Sequence, residues 1–119
     1  MKLFIRTQDG PLSDELGTHV RRSVQFALTR FRGRIIRTHV HLATVSRDAS
    51  DPTCEDEDVE CVVRVDLQAG SVVARDIDEE PTYAVSQAIE RIGQIVARYE
   101  DSGVAAQQSV SGLSQRTAG

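Results

Sequence analysis

The stretch VQFALTRFRGRIIRTHVHL, residues 24–42, changes its hydrophobic period halfway along, and that change decides the fold. Up to Phe31 the apolar residues recur at spacings of three and four. Leu16, Val20, Val24, Ala27, Leu28 and Phe31 form one stripe over four helical turns, which is the mark of a helix with a single buried face. Gly33 supplies the stop. From residue 34 to 47 the period falls to two. Ile36, Val40 and Leu42 share one face, and Ile35, Arg37, His39 and His41 share the other, so a strand follows the helix directly.

The same reading extends in both directions. Upstream, Ser13 is placed to cap the helix, with Asp14 and Glu15 at its positive end. Before it lies QDGP, residues 8–11, which is turn chemistry. KLFIRT, residues 2–7, alternates with Leu3 and Ile5 on one face and Lys2, Phe4 and Arg6 on the other, as in a half-buried strand. Downstream, residues 48–58 (DASDPTCEDED) combine turn formers with an acidic run and read as a loop. Residues 59–69 alternate again, with Val59, Cys61, Val63, Val65 and Leu67 inward. Gly70-Ser71 reads as a tight turn into a fourth strand over residues 71–77, and the two strands form a hairpin.

Pro81 opens a second helix, whose stripe is Val85, Ala88, Ile89, Ile92, Ile95, Val96 and Tyr99. Gly17 and Gly93 sit inside the two helices at roughly 1 kcal/mol each relative to Ala, for which close approach of the helices is one explanation. Residues 101–119 lack periodicity and read as a disordered polar tail beyond a single domain spanning residues 1–100. Two amphipathic helices and four one-sided strands predict an α+β two-layer sandwich, β-α-β-β-β-α. Both helices lie on one face of a mixed sheet whose first two strands are parallel.

Composition narrows the function. The chain has 119 residues and a net charge of -4, but the charge is unevenly spread. Residues 1–47 hold nine Lys/Arg and three Asp/Glu, a balance of +6; residues 48–119 hold five against fifteen, a balance of -10. That asymmetry points to one surface built for a polyanion. Aromatics are only 4 % with no Trp, which argues against a multi-aromatic base-stacking platform. No apolar run approaches the roughly 20 residues of a membrane span. The opening MKLFIRTQDG has Arg6 and Asp9 where a signal peptide would be apolar, so the expected location is cytoplasmic.

The local matches KLFIRT, RFRGRIIRTHVHL and DEEPTYAVSQAIERI, taken with the element order over residues 2–100, make the chain similar to the short hibernation-promoting factors. These are ribosome-associated translation inhibitors once labelled sigma-54 modulation proteins. The resemblance implies a fold similar to a double-stranded-RNA-binding domain. It also implies binding to small-subunit rRNA in the decoding region, where occupancy blocks mRNA and tRNA under stress without catalysis. It places the contacts on Arg21, Arg22, Arg30, Arg32, Arg34, Arg37, Arg91 and Arg98. The second helix departs from the family's basic pattern, having only Arg91 and Arg98 beside Glu90, Glu100 and Asp101.

The residues themselves support a first-helix basic face. Arg22, Phe26 and Arg30 stand four apart, opposite the apolar stripe, and Arg32, Arg34 and Arg37 continue past the helix end. Guanidinium groups there neutralise phosphates, and an exposed Phe26 stacks on a base or ribose. The plainer alternative is a solvated helix face with Phe26 covering a sheet edge. His39-x-His41 has a spacing that suits a metal if Glu60 or Asp66 joins it, though exposed or sheet-packed histidines are the default. Cys61 reads as a core residue and Cys54 as a loop thiol, with a redox pair as the alternative. The run EDEDVE, residues 55–60, lacks the spaced ligands of a calcium loop and reads as a self-repelling edge turned away from nucleic acid. No nucleophile–base pairing, glycine-rich phosphate loop or HExxH is present, so the expectation is a non-enzyme with no cofactor, metal, small-molecule substrate or membrane partner. The alternative function is a protein-interaction module of the same fold that no longer binds ribosomes and takes a protein partner instead.

Overall fold

Alternation and helical periodicity give seven elements in the computed structural model, which describes residues 2–8, 10–47, 50, 53 and 56–102. They are β1 (Lys2–Thr7), α1 (Asp14–Leu28), a short 3-10 turn (Thr29–Phe31), β2 (Ile35–Ser46), β3 (Glu57–Leu67), β4 (Gly70–Asp78) and α2 (Pro81–Ser102). The sheet order is β1-β2-β3-β4, with β1 and β2 parallel and the other pairs antiparallel. The α+β class and the element order are those expected from the sequence.

Local signals set the element ends. Ser13 is extended, and its hydroxyl accepts the Leu16 amide at 3.2 Å, an N-cap worth about 1 kcal/mol. Gly10 sits at φ 116°, the left-handed region that the turn between β1 and α1 requires. α1 ends before the expected glycine. Leu28 leaves the helical region and residues 29–31 tighten into the 3-10 turn, so Gly33 follows the helix without capping it.

One core joins the layers. Val20, Val24 and Leu28 of α1 and Val85, Ala88, Ile89, Ile92 and Val96 of α2 pack on Val40, Leu42, Cys61, Val63, Val65, Leu67, Val72 and Ala74. Both helices therefore cover the same sheet face. Leu3, Ile5, Leu16, Ala27, Phe31, Ile95 and Tyr99 close its margin.

Three local expectations are corrected. Ile35 is buried and Ile36 is 45 % exposed, the reverse of simple alternation. Ile35 pairs with Leu67 and Arg37 with Asp66, so β2 spends one extra residue there, and this bulge flips the phase before Arg37. The hairpin turn is Gln68-Ala69, not Gly70-Ser71, because Leu67 pairs with Gly70. β3 begins at Glu57, two residues into the expected loop, since Ser46 pairs with Glu57 and Val45 with Asp58. Of the glycines, Gly93 does face α1, at Ala27, whereas Gly17 faces Leu12. The expected tail was residues 101–119; α2 runs on through Asp101 and Ser102, and the rest of that stretch lies outside the described residues. Among the described residues, no helix is long and apolar enough to cross a membrane.

Candidate nucleic-acid interface

The solvent side of the helix layer carries the predicted basic face. Arg21, Arg22 and Phe26 project from α1, Arg30 from the 3-10 turn, and Arg32 and Arg34 from the passage into β2, all exposed. Phe26 is 93 % exposed, so it covers no sheet edge. It lines a groove of about 680 Å³ between the helices, with Ala27 and Arg30 on the α1 side and Ile89, Gly93 and Ala97 on the α2 side. Gly93 faces Ala27 across this groove. Across it, His19 Nε2 lies 2.8 Å from Ser86 Oγ and ties α1 to α2. Neither residue stood out in the sequence, because a lone His and a lone Ser on different helices share no spacing.

Ion pairing sorts the arginines. Among the described residues, Arg21, Arg22, Arg30, Arg32 and Arg98 have no carboxylate within 4.0 Å. Arg30 lies instead over the Phe31 ring, 4.6 Å from its centroid, a cation–π contact that steers the guanidinium while leaving its charge uncompensated. Arg34 is held by Glu100, near the end of α2. Arg91 reaches Asp76 of β4 at 3.3 Å. Arg98 stands seven residues after Arg91, two helical turns on, so both lie along the β4 flank of α2 and away from the groove. Arg37 projects from the opposite face of the sheet, 3.7 Å from Asp66.

The structure thus brings Arg22, Phe26 and Arg30 together beside the groove, with Arg32 beyond the helix end. It sets Arg21 about 100° around the helix from Arg22. It leaves Arg37, Arg91 and Arg98 on other surfaces. Glu90 lines the groove on the α2 side, a negative charge facing the basic wall.

The histidines, cysteines and acidic groups singled out in the sequence sort differently. Among the described residues, no three His, Cys, Asp or Glu side chains gather as metal ligands. Glu60 pairs with Arg75 at 2.9 Å, and Asp66 with Arg64 at 2.9 Å, so arginines engage both carboxylates named as partners for His39 and His41. Cys61 is fully buried, and burial pushes its thiol up to about 12, which keeps it protonated and unreactive at neutral pH. Cys54 lies outside the described residues. The acidic edge is anchored by Arg47, which bonds Asp58 at 3.0 Å and Glu79 at 3.3 Å; the Asp58 hydrogen bond raises the Arg47 pKa further.

No family model matches the sequence, and no curated protein matches it. Solved structures match the fold. A ribosomal subunit interface protein from Coxiella burnetii superposes with a TM-score of 0.67 at 12 % identity, covering 85 % of this chain and 99 % of that one. The Protein Y N-terminal domain from Thermus thermophilus gives a TM-score of 0.67 at 17 % identity, covering 83 % and 99 %. The β-α-β-β-β-α sandwich described above is therefore the fold of these two proteins, reached here by a sequence that shares fewer than one residue in five with either.

Proposed function

We propose that this chain is a cytoplasmic, non-enzymatic ribosome-associated factor. It binds small-subunit rRNA in the decoding region and suppresses translation under stress by occupying the space of mRNA and tRNA. The observation that carries this reading is that Arg22, Arg30 and Arg32, beside the exposed Phe26, have no carboxylate partner among the described residues, on a fold shared with a ribosomal subunit interface protein. Unpaired guanidinium groups retain their full charge for phosphates and release counterions on binding. Arg21 and Arg34 flank the same surface, while Arg91, Arg98 and Arg37 lie away from the groove.

Co-sedimentation with small subunits and whole ribosomes through sucrose, at several salt concentrations, tests the proposal. The chain is expected to travel with the small subunit at low salt and to leave it as salt rises. Protein remaining at the top of a low-salt gradient overturns the reading.

A second reading has a specific observation in its favour. Arg91 is tied to Asp76, and Glu90 faces the groove, so α2 contributes little positive charge to a polyanion site. A protein-interaction module of the same fold would show this pattern. Affinity capture separates the two: rRNA with ribosomal proteins supports the first, and one protein partner without rRNA supports the second.

A further inference from the structure

Among the described residues, no helix or strand covers the sheet face opposite the helices, and its side chains follow from the strand register. Lys2, Arg37, Asp66 and Ser71 form one row across the four strands. Phe4, His39, Arg64 and Val73 form the next, and Arg6, His41, Val62 and Arg75 the third. These three rows hold five Lys or Arg side chains and one carboxylate.

That carboxylate is oversubscribed. Asp66 lies 2.9 Å from Arg64, 3.5 Å from His39 and 3.7 Å from Arg37. One negative charge cannot neutralise both guanidinium groups, so positive charge is left over at the middle of the sheet. Arg75 is matched by Glu60, one row further on. Among the described residues, Lys2 and Arg6 have no carboxylate partner.

Aromatic surface lies within this charge. The Phe4 and His39 rings stack with centroids 5.2 Å apart and planes 18° apart, and Phe4 is 48 % exposed. Each ring has one face covered by the other. Lys2 and Arg37 face each other one step to one side of the pair along the sheet, and Arg6 and His41 one step to the other. A flat ring added to this stack therefore has cations on both sides of it, at the spacing of a chain that follows the strands.

We propose that this outer sheet face is a second RNA-binding surface, taking a single-stranded segment whose unpaired base extends the Phe4–His39 stack and whose phosphates lie on Lys2, Arg6, Arg37 and Arg64. Duplex RNA supplies the phosphates but keeps its base faces covered, and an acidic polypeptide satisfies the cations while leaving the aromatic pair in water. Only an unpaired nucleotide chain uses both features. The surface lies across the sheet from α1, so it does not rest on the helix-face reading, and the two faces can be occupied together.

The test measures binding of the full chain to a labelled oligouridylate of about eight nucleotides and to a labelled RNA hairpin stem. Phe4→Leu keeps an apolar strand residue but removes the ring; it is expected to weaken oligouridylate binding about tenfold and to leave stem binding within about twofold. Arg64→Gln, with the stack intact, is expected to lower the salt slope for the oligonucleotide by about one. In an Arg22→Gln, Arg30→Gln background, which removes the helix-face contribution, Phe4→Leu is still expected to weaken oligouridylate binding about tenfold. The proposal is overturned by an oligouridylate affinity that neither Phe4→Leu nor Arg64→Gln alters, by disappearance of the Phe4→Leu effect in the helix-face background, or by absence of binding to the wild-type chain. Displacement of the oligonucleotide by poly-glutamate with equal ease from wild type and Phe4→Leu also overturns it, because that outcome assigns the face to acidic polypeptide.

Discussion

Arg34, at the entry to β2, donates to the carboxylate of Glu100, near the end of α2, and this pair ends the run of arginines, beginning on α1, that have no carboxylate partner among the described residues. Half-exposed pairs of this kind contribute little to stability, on the order of 0–1 kcal/mol. Their effect on a binding surface is larger, since Glu100 both occupies a phosphate donor and adds a negative charge. Glu100→Gln is therefore expected to leave the melting temperature nearly unchanged. It should strengthen binding to structured RNA and steepen the salt dependence by about one phosphate contact. Fluorescence anisotropy across a salt series measures both quantities. An unaltered slope places Arg34 off the RNA track.

Gly70 has no side chain because Tyr99 occupies the space. A Cβ there would stand 2.7 Å from the Tyr99 hydroxyl oxygen, too close for carbon and oxygen, so the Tyr99 ring must shift out of its packed position. Gly70→Ala is expected to destabilise the fold by about 1–3 kcal/mol. In a Tyr99→Phe background the clashing oxygen is gone and the same substitution should cost less. Urea unfolding of the four members of this cycle gives the coupling directly, and additive effects contradict the contact.

The two helical glycines differ in the opposite sense. An alanine methyl at Gly93 would meet Ala27 Cβ and its carbonyl oxygen at 3.5 Å, which is ordinary contact. The helix propensity of Ala over Gly then dominates, and Gly93→Ala is expected to stabilise by about 0.5–1 kcal/mol. At Gly17 the methyl would lie 3.1 Å from Leu12 Cδ2, so the leucine must shift and the gain shrinks. Thermal melts should rank Gly93→Ala above Gly17→Ala; the reverse order would show that the inter-helix groove cannot admit a methyl.

Asp66 gives the fold an acid-labile component. Desolvation pushes its carboxyl up, but hydrogen bonds from Ser71 and Arg64 and the charges of Arg64 and His39 outweigh that and hold it below the usual carboxylate value. A group depressed in the folded state stabilises it above its unfolded pKa, and that contribution is lost as pH falls through the folded value. Asp66→Asn is thus expected to melt below wild type at pH 7, and the gap should close below about pH 4. A gap of the same size at both pH values would show that shape, and not charge, sets the cost of the substitution.

Sequence periodicity by itself determined the elements and their order. The shift from a period of 3.6 to 2 around Gly33 separated helix from strand, Ser13 marked a helix start, and Pro81 opened α2, because each of these signals acts within one or two turns of chain. The inward faces of β3 and both helices followed for the same reason. The basic character of α1 was also legible, since helical spacing alone puts Arg22, Phe26 and Arg30 on one side.

Tertiary structure decided everything that depends on partners distant in sequence. The bulge opposite Leu67 turned Ile35 inward and Ile36 outward, which no pattern within β2 encodes. Packing of α2 against β4 spent Arg91 on Asp76, and the approach of the α2 end to β2 spent Arg34 on Glu100, leaving Arg22, Arg30 and Arg32 beside the groove without a carboxylate partner among the described residues. Parallel pairing of β1 with β2 brought Phe4 onto His39, thirty-five positions apart in the chain. Charge and shape at a surface are sums over neighbours. Neighbours contributed by other elements exist only once the sheet register and the helix packing are set.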